Sequence, residues 1–174
     1  MSTLFVENLK GLTSGDNANK VIIPSGQTFI AAGHILQTVS NSFTTYTAGT
    51  STTFFDTTVN ISLTTTVANS KVMYLGMLGF NASSSKYMHA RLLRRISGSD
   101  TEIWAAGRIT PAGSGGTADI ESWHAYNYVD DHSQAAGTTI EYRIQIRNSG
   151  VNAGGSARIN DNSESYVILQ ELAP

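Results

Sequence analysis

Residues Thr139–Arg147 alternate without a break, with Ile140, Tyr142, Ile144 and Ile146 set against Glu141, Arg143, Gln145 and Arg147. Successive side chains on a strand point to opposite faces. This period of two therefore predicts a strand with one core face and one face toward solvent or a polar contact. Val59–Leu63 shows the same pattern. Further strands are expected at Tyr87–Ile96, Glu102–Arg108, Ile120–Tyr128, Ala157–Ile159 and Ser165–Leu172. Turn clusters separate them at Asn81–Ser85, Ser97–Asp100, Thr110–Thr117, Asp130–Gly137, Asn148–Gly155 and Asn160–Ser163. No stretch keeps a 3.6-residue apolar period, so almost no helix is expected. Short strands separated by Gly-rich turns predict an all-β antiparallel sandwich or barrel.

Val72–Phe80 departs from the two-faced rule. Val72, Tyr74, Leu78 and Phe80 form one apolar set, and Met73, Leu75 and Met77 form the other. Without a βαβ pattern around it, the second cover is expected from a neighbouring subunit. Met73, Leu75 and Met77 are thus the predicted subunit-interface residues.

The start of the chain reads differently. Short extended pieces at Thr3–Leu9, Lys20–Ile23 and Thr28–Ala32 are separated by turn residues, with too few apolar groups for a core of their own. Met1–Ile35 is read as an arm or shaft that orders on another chain, and residues 36–174 as the head domain. Within Leu36–Thr66, Thr and Ser dominate, and Asp56 is the only charged side chain between Val21 and Ser70. Such Thr density suits a pleated, half-buried surface, with Phe54 and Phe55 adding aromatic weight.

A chain of 174 residues holds one domain of this kind plus an arm. The net charge of −2 and a pI near 6.0 lack the basic footprint of a nucleic-acid binder. There is no cysteine, hence no disulfide and no thiolate chemistry. The opening Met1–Lys10 lacks a secretory signature, and no apolar run approaches the ~20 residues of a membrane span. A soluble protein made in a cytoplasm is expected.

The chemical candidates are few. Asp130-Asp131 is the obvious acidic pair for hydrolysis, but neighbours on a strand diverge, and a pair in a turn more often caps backbone amides. His34, His89, His124 and His132 lack metal-ligand spacing, so neither a metal nor a cofactor is expected. Arg91, Arg94 and Arg95 could contact an anionic glycan or an acidic patch. Alternation splits them, however, and intersubunit pairing with Glu102 or Glu141 is an equal reading. Trp104, Trp123, Tyr126 and Tyr128 could form an aromatic platform for sugar rings. Core packing is expected for the face that carries Trp123, Ala125 and Asn127. Gly113-Ser114-Gly115-Gly116 has no following Lys and no helix, so it is a loop tip and not a phosphate cradle. That loop (Gly113, Ser114, Gly115) and the Asn148–Gly155 loop (Asn148, Asn152) are the candidate receptor contacts.

The order of segments resembles the jelly-roll head modules at the C-termini of phage tail fibres and virion appendages. The resemblance runs through Ile35–Gln37, Thr58–Thr64, Ser70–Leu75, Ala90–Arg94, Asn127–Asp131, Thr139–Gln145 and Tyr166–Leu172, the last ending in an aliphatic-x-Glu-aliphatic pattern. Asp131 stands where a Pro often follows, and no Ile-Asn-Gly precedes the final strand. Met1–Val6 and Leu9-Lys10-Gly11 look like the opening of marine-phage structural proteins. There a short arm, here Leu4, Phe5 and Val6, attaches to the virion. The resemblance implies a trimeric, TNF-like jelly roll without enzymatic activity, located in the virion. Its partners would be itself, other virion proteins and a host surface glycan or protein, with no nucleic acid and no membrane insertion. A tail fibre or knob for host attachment is the expected function. The alternatives are a capsid decoration protein and, from another class, a carbohydrate-active enzyme.

Overall fold

The computed structural model describes residues 14–15, 31–82, 87–109, 120–149 and 156–174. The chain divides into two units, Met1–Ala31 and Ala32–Pro174. The expected arm residues Leu4, Phe5 and Val6 lie outside the described residues, as do Gly113, Ser114, Gly115 and Asn152.

The second unit is built from strands: β1 (Ile35–Phe43), β2 (Thr47–Gly49), β3 (Phe55–Thr64), β4 (Lys71–Ala82), β5 (Met88–Ile96), β6 (Ser99–Ile109), β7 (Ile120–Asp131), β8 (Thr139–Asn148), β9 (Ala157–Ile159) and β10 (Ser165–Leu172). One sheet runs β1-β10-β4-β9-β2, with β7 on the other side of β4, and the second runs β3-β8-β5-β6. All pairings are antiparallel. The partners nest, with β5 on β6, β4 on β7, β3 on β8 and β1 on β10. A long hairpin rolled across two sheets has this order, which is the eight-stranded jelly roll with β2 and β9 as a short side pair. The hairpin β5–β6 turns on Ser97 (φ 50°) and Gly98 (φ 83°). Two positive φ values in a two-residue loop make the type I′ turn that matches strand twist.

Between the sheets lie Val72, Tyr74, Leu78 and Phe80 of β4, facing Ile140, Tyr142, Ile144 and Ile146 of β8, with Leu92, Ile159 and Leu169 around them. The alternation in the sequence is the cause: each strand contributes its apolar set to one shared interior. The Tyr74 and Tyr142 rings meet with centroids 6.1 Å apart.

Candidate interaction surface

The two outer faces of the sandwich differ in chemistry. On the sheet of β3, β8, β5 and β6, charges cross the strands in rows. Arg91 bonds Gln145 at 2.8 Å and Glu102 at 2.9 Å. Arg95 makes two 2.7 Å bonds to Asp100, and the Arg95 guanidinium holds the Asp100 carboxyl below its ordinary range. Asp56 takes Arg143 at 2.5 Å and Gln145 at 2.7 Å. The Arg91 and Arg147 guanidiniums sit 4.3 and 4.9 Å from the Phe54 ring centroid. Most of these charges are paired within one chain, although Arg143 Nη1 and Arg147 Nε are buried without a hydrogen-bond partner.

Among the described residues, the outer face of the other sheet carries no such ladder across its centre, with the Lys71–Asp131 pair at its end. Register places Met73 between Val129 and Gln170, Leu75 between Asn127 and Ile168, and Met77 between Ala125 and Tyr166, with Gly79 opposite Trp123. Trp123 is 55% exposed, Tyr166 52%, Val129 50%, Met77 45% and Ile168 37%. These are side chains of about 150–250 Å² for the aromatics and somewhat less for the aliphatics, so half exposure leaves roughly 400–500 Å² of largely apolar surface open. That is the ordinary size of the largest apolar patch on a monomer, about 300–600 Å², and such a patch is often functional. Gly79 is needed at its place: a Cβ there would meet Ser163 Oγ, would lie 2.8 Å from Ser163 Cβ and 3.4 Å from Trp123 Nε1.

Several expectations are corrected. Alternation along β7 is as read, but its sign is reversed: Trp123, Ala125 and Asn127 face out, while His124, Tyr126 and Tyr128 turn inward. The inward set is held by Trp104 of β6, 4.5 Å from the Tyr126 centroid, and by Phe80 of β4, 6.0 Å from it. Asn148 is the last residue of β8 and is buried, its backbone N–H donating to Ser51 O at 2.8 Å, so it is not on a loop tip. Arg91 pairs with Glu102 inside the chain. Val129, Tyr166 and Ile168 join Met73, Leu75 and Met77 on the open face although the sequence reading did not single them out. The apolar positions at both phases of Ser165–Leu172 carried that signal.

The remaining candidates scatter. Asp130 points inward, accepting from Arg94 Nη1 at 2.7 Å and from the Tyr142 hydroxyl at 2.8 Å. Burial, and then the Asp130 charge, push the Tyr142 phenol up. Asp131 points outward to Lys71 at 3.0 Å. The two carboxylates therefore face away from each other and frame no common substrate position. His124 packs on Phe80 and Tyr126 and meets Ser122 Oγ at 2.9 Å. His132 is buried, and its Nδ1 accepts the Gln134 N–H at 3.2 Å. Among the described residues no three His, Cys, Asp or Glu side chains are grouped to hold a metal. No helix among them is long and apolar enough to cross a membrane.

No family model matches the chain, and no curated protein matches it either. Among solved structures it is similar to infectious bursal disease virus of the Gt strain, at 14% identity and TM-score 0.43, covering 88% of this chain and 42% of that one. The Gx strain structure gives 16% identity and TM-score 0.43, covering 94% and 45%. A subviral particle of the same virus gives 15% and 0.41, covering 94% and 45%. The chain spans less than half the length of each. Likeness at this level carries no argument about function, and the jelly-roll assignment rests on the strand order.

The open sheet face can therefore do one kind of chemistry well, which is to exchange water for another apolar surface. A standard interface buries about 800 Å² per partner. The patch is large enough to be the centre of one, with the polar outer positions Thr38, Ser40 and Ser42 of β1 as its rim.

Proposed function

We propose that this chain is a structural, non-enzymatic subunit of a bacteriophage particle, a homotrimeric tail fibre or knob that mediates attachment to the host surface. The observation that carries the reading is the asymmetry of the two outer faces. One has most of its charges paired with one another, and the other exposes Met77, Trp123, Val129, Tyr166 and Ile168. The jelly-roll strand order and the resemblance of segment order to phage appendage heads support it. In this reading Met73, Leu75 and Met77 form the seam around a threefold axis, and the N-terminal arm binds the virion. Three copies of a weak host contact then add by avidity.

The experiment is the mass of the purified protein by light scattering, with labelling of virions by antibody to residues 36–174. A mass of three chains and signal at fibre tips are expected. Met77→Glu with Ile168→Glu should give a folded monomer, because both side chains are already in water in the single chain. A parent protein that is monomeric at high concentration refutes the assembly. Signal over the capsid faces transfers the role to capsid decoration.

A further inference from the structure

Among the described residues, the outer face of the β3-β8-β5-β6 sheet carries the guanidiniums of Arg91, Arg95, Arg143 and Arg147. Three of them have a carboxylate: Glu102 for Arg91, Asp100 for Arg95 and Asp56 for Arg143. Among the described residues Arg147 has none. Its contacts are the Thr52 carbonyl oxygen, 3.4 Å from Nη1, and the Phe54 ring.

The groups around Arg147 are themselves basic. Its register partner on β5 is His89, and the partner of His89 on β6 is Arg108, so three basic residues stand in one row across three strands. Arg91 shares the Phe54 ring with Arg147. Burial, and then the Arg147 charge, hold the His89 imidazole below its ordinary 6.5. Like charges this close repel one another, and no carboxylate among the described residues offsets Arg147 as Asp100 offsets Arg95. The place is also held in shape. Phe54 and Thr52 fix the Arg147 side chain, and its Nε is buried. Arg147 Nη2 and both His89 ring nitrogens, without partners among the described residues, are open to solvent.

The row lies at the end of the sandwich where β8 finishes and β5 begins. The chain enters at the other end, where Gly33 and His34 bond to Ala173 just beyond β10. We propose that Arg147 and His89 bind an oxyanion, the phosphate, sulfate or carboxylate group of a larger molecule. The Arg147 terminal nitrogens donate to its oxygens, and His89 adds an N–H and a charge as it takes up a proton. A guanidinium matches the geometry of such groups, and charge-assisted bonds of this kind are about twice as strong as neutral ones. A cationic ligand would meet repulsion from the same row. The binding chemistry does not need the attachment role; its meaning as recognition of an acidic saccharide on the host surface rests on that reading.

The test is NMR of the His89 ring and the arginine side chains in the full chain, titrated with sodium sulfate at ionic strength held constant with chloride. Sulfate keeps its charge between pH 5 and 8, so any pH dependence belongs to the protein. The His89 and Arg147 signals should move together with a Kd of about a few millimolar. Binding should tighten as pH falls through the His89 transition, and saturating sulfate should raise the His89 midpoint. His89→Gln should remove that pH dependence. Arg147→Met keeps an apolar stem over Phe54, so it should melt no lower than the parent while binding falls about tenfold. Lys71→Met removes a positive charge on the other sheet and should bind like the parent. Inorganic phosphate ranked against methyl glucuronide then tells a phosphate ligand from a carboxylate one. Three results overturn the proposal: no saturable shift up to about 50 mM sulfate, well above a millimolar Kd; equal losses in Arg147→Met and Lys71→Met, which mark bulk charge; or parent affinity that does not change with pH. The last is read on the parent alone and holds even if Arg147→Met folds poorly. None of these touches the trimer mass, so failure here and failure of the assembly reading are separate results.

Discussion

Replacing Glu171 with Gln should lower the melting temperature by about 6–12 °C, and the loss should close in acid. Glu171 is 0% exposed. Its carboxylate accepts from Gln37 Nε2 at 2.7 Å, from the Thr66 N–H at 2.8 Å and from Thr66 Oγ1 at 2.8 Å, with the Val67 N–H at 3.4 Å. These bonds pin the turn between β3 and β4 to β10 and β1. Gln keeps the shape and one acceptor oxygen, but it turns two charge-assisted bonds into neutral ones, at about 1 kcal/mol each. It also sets its NH2 against the Gln37 NH2, for about 1 kcal/mol more. A total of about 3 kcal/mol in a domain of this size gives the stated shift, at roughly 2–4 °C per kcal/mol.

The pH dependence tests the same contact. Burial pushes the Glu171 carboxyl up, but the bonds donated to it outweigh burial and hold it below its ordinary value of 4.5. A depressed carboxyl stabilises fully above its unfolded value and loses that contribution as pH falls through the folded one. Gln does not titrate. The gap between parent and Glu171→Gln is therefore complete above pH 4.5 and narrows below it. Thermal and urea unfolding from neutral pH into the acid range measures both quantities. A variant within about 2 °C of the parent at neutral pH, or a gap that stays constant into acid, refutes the reasoning.

Three further outcomes follow from the same kind of argument. Arg94→Met should destabilise by about 3–5 kcal/mol in urea unfolding, because it strands the buried Asp130, and Asp130→Asn added to it should recover part of the loss. Gly79→Ala should cost about 1–3 kcal/mol, since the new methyl must displace Ser163 beneath Trp123, and the Trp123 emission should redden as the indole lifts. Burial lowers His132 from its ordinary 6.5, so its contribution is held above that value and falls as pH drops through the lower folded one; denaturant titrations above and below pH 6.5 should show a flatter profile for His132→Gln.

Much of the fold was legible along the chain. The strict alternation of Thr139–Arg147 and the doubly apolar run of Val72–Phe80 place β8 and β4, because a strand has a fixed period of two and that period survives any packing. The strand boundaries came within a few residues for the same reason. The jelly-roll expectation agrees with the strand order found. Met73, Leu75 and Met77 do share one outward face, as their spacing requires.

Tertiary structure decided the sign and the partners. Alternation in β7 separates Trp123 from Tyr126 but cannot say which goes inside when both sets carry aromatics. The answer came from Trp104 on a neighbouring sheet and from the edge position of β7. Glu171 is buried because Gln37 and Thr66, which lie 134 and 105 residues away, bring their donors to it. Asn148 ends in the interior through Ser51 in the same way. Local period is a property of the backbone and is written in the sequence. Which polar group meets which donor depends on contacts between distant segments that exist only once the two sheets have closed.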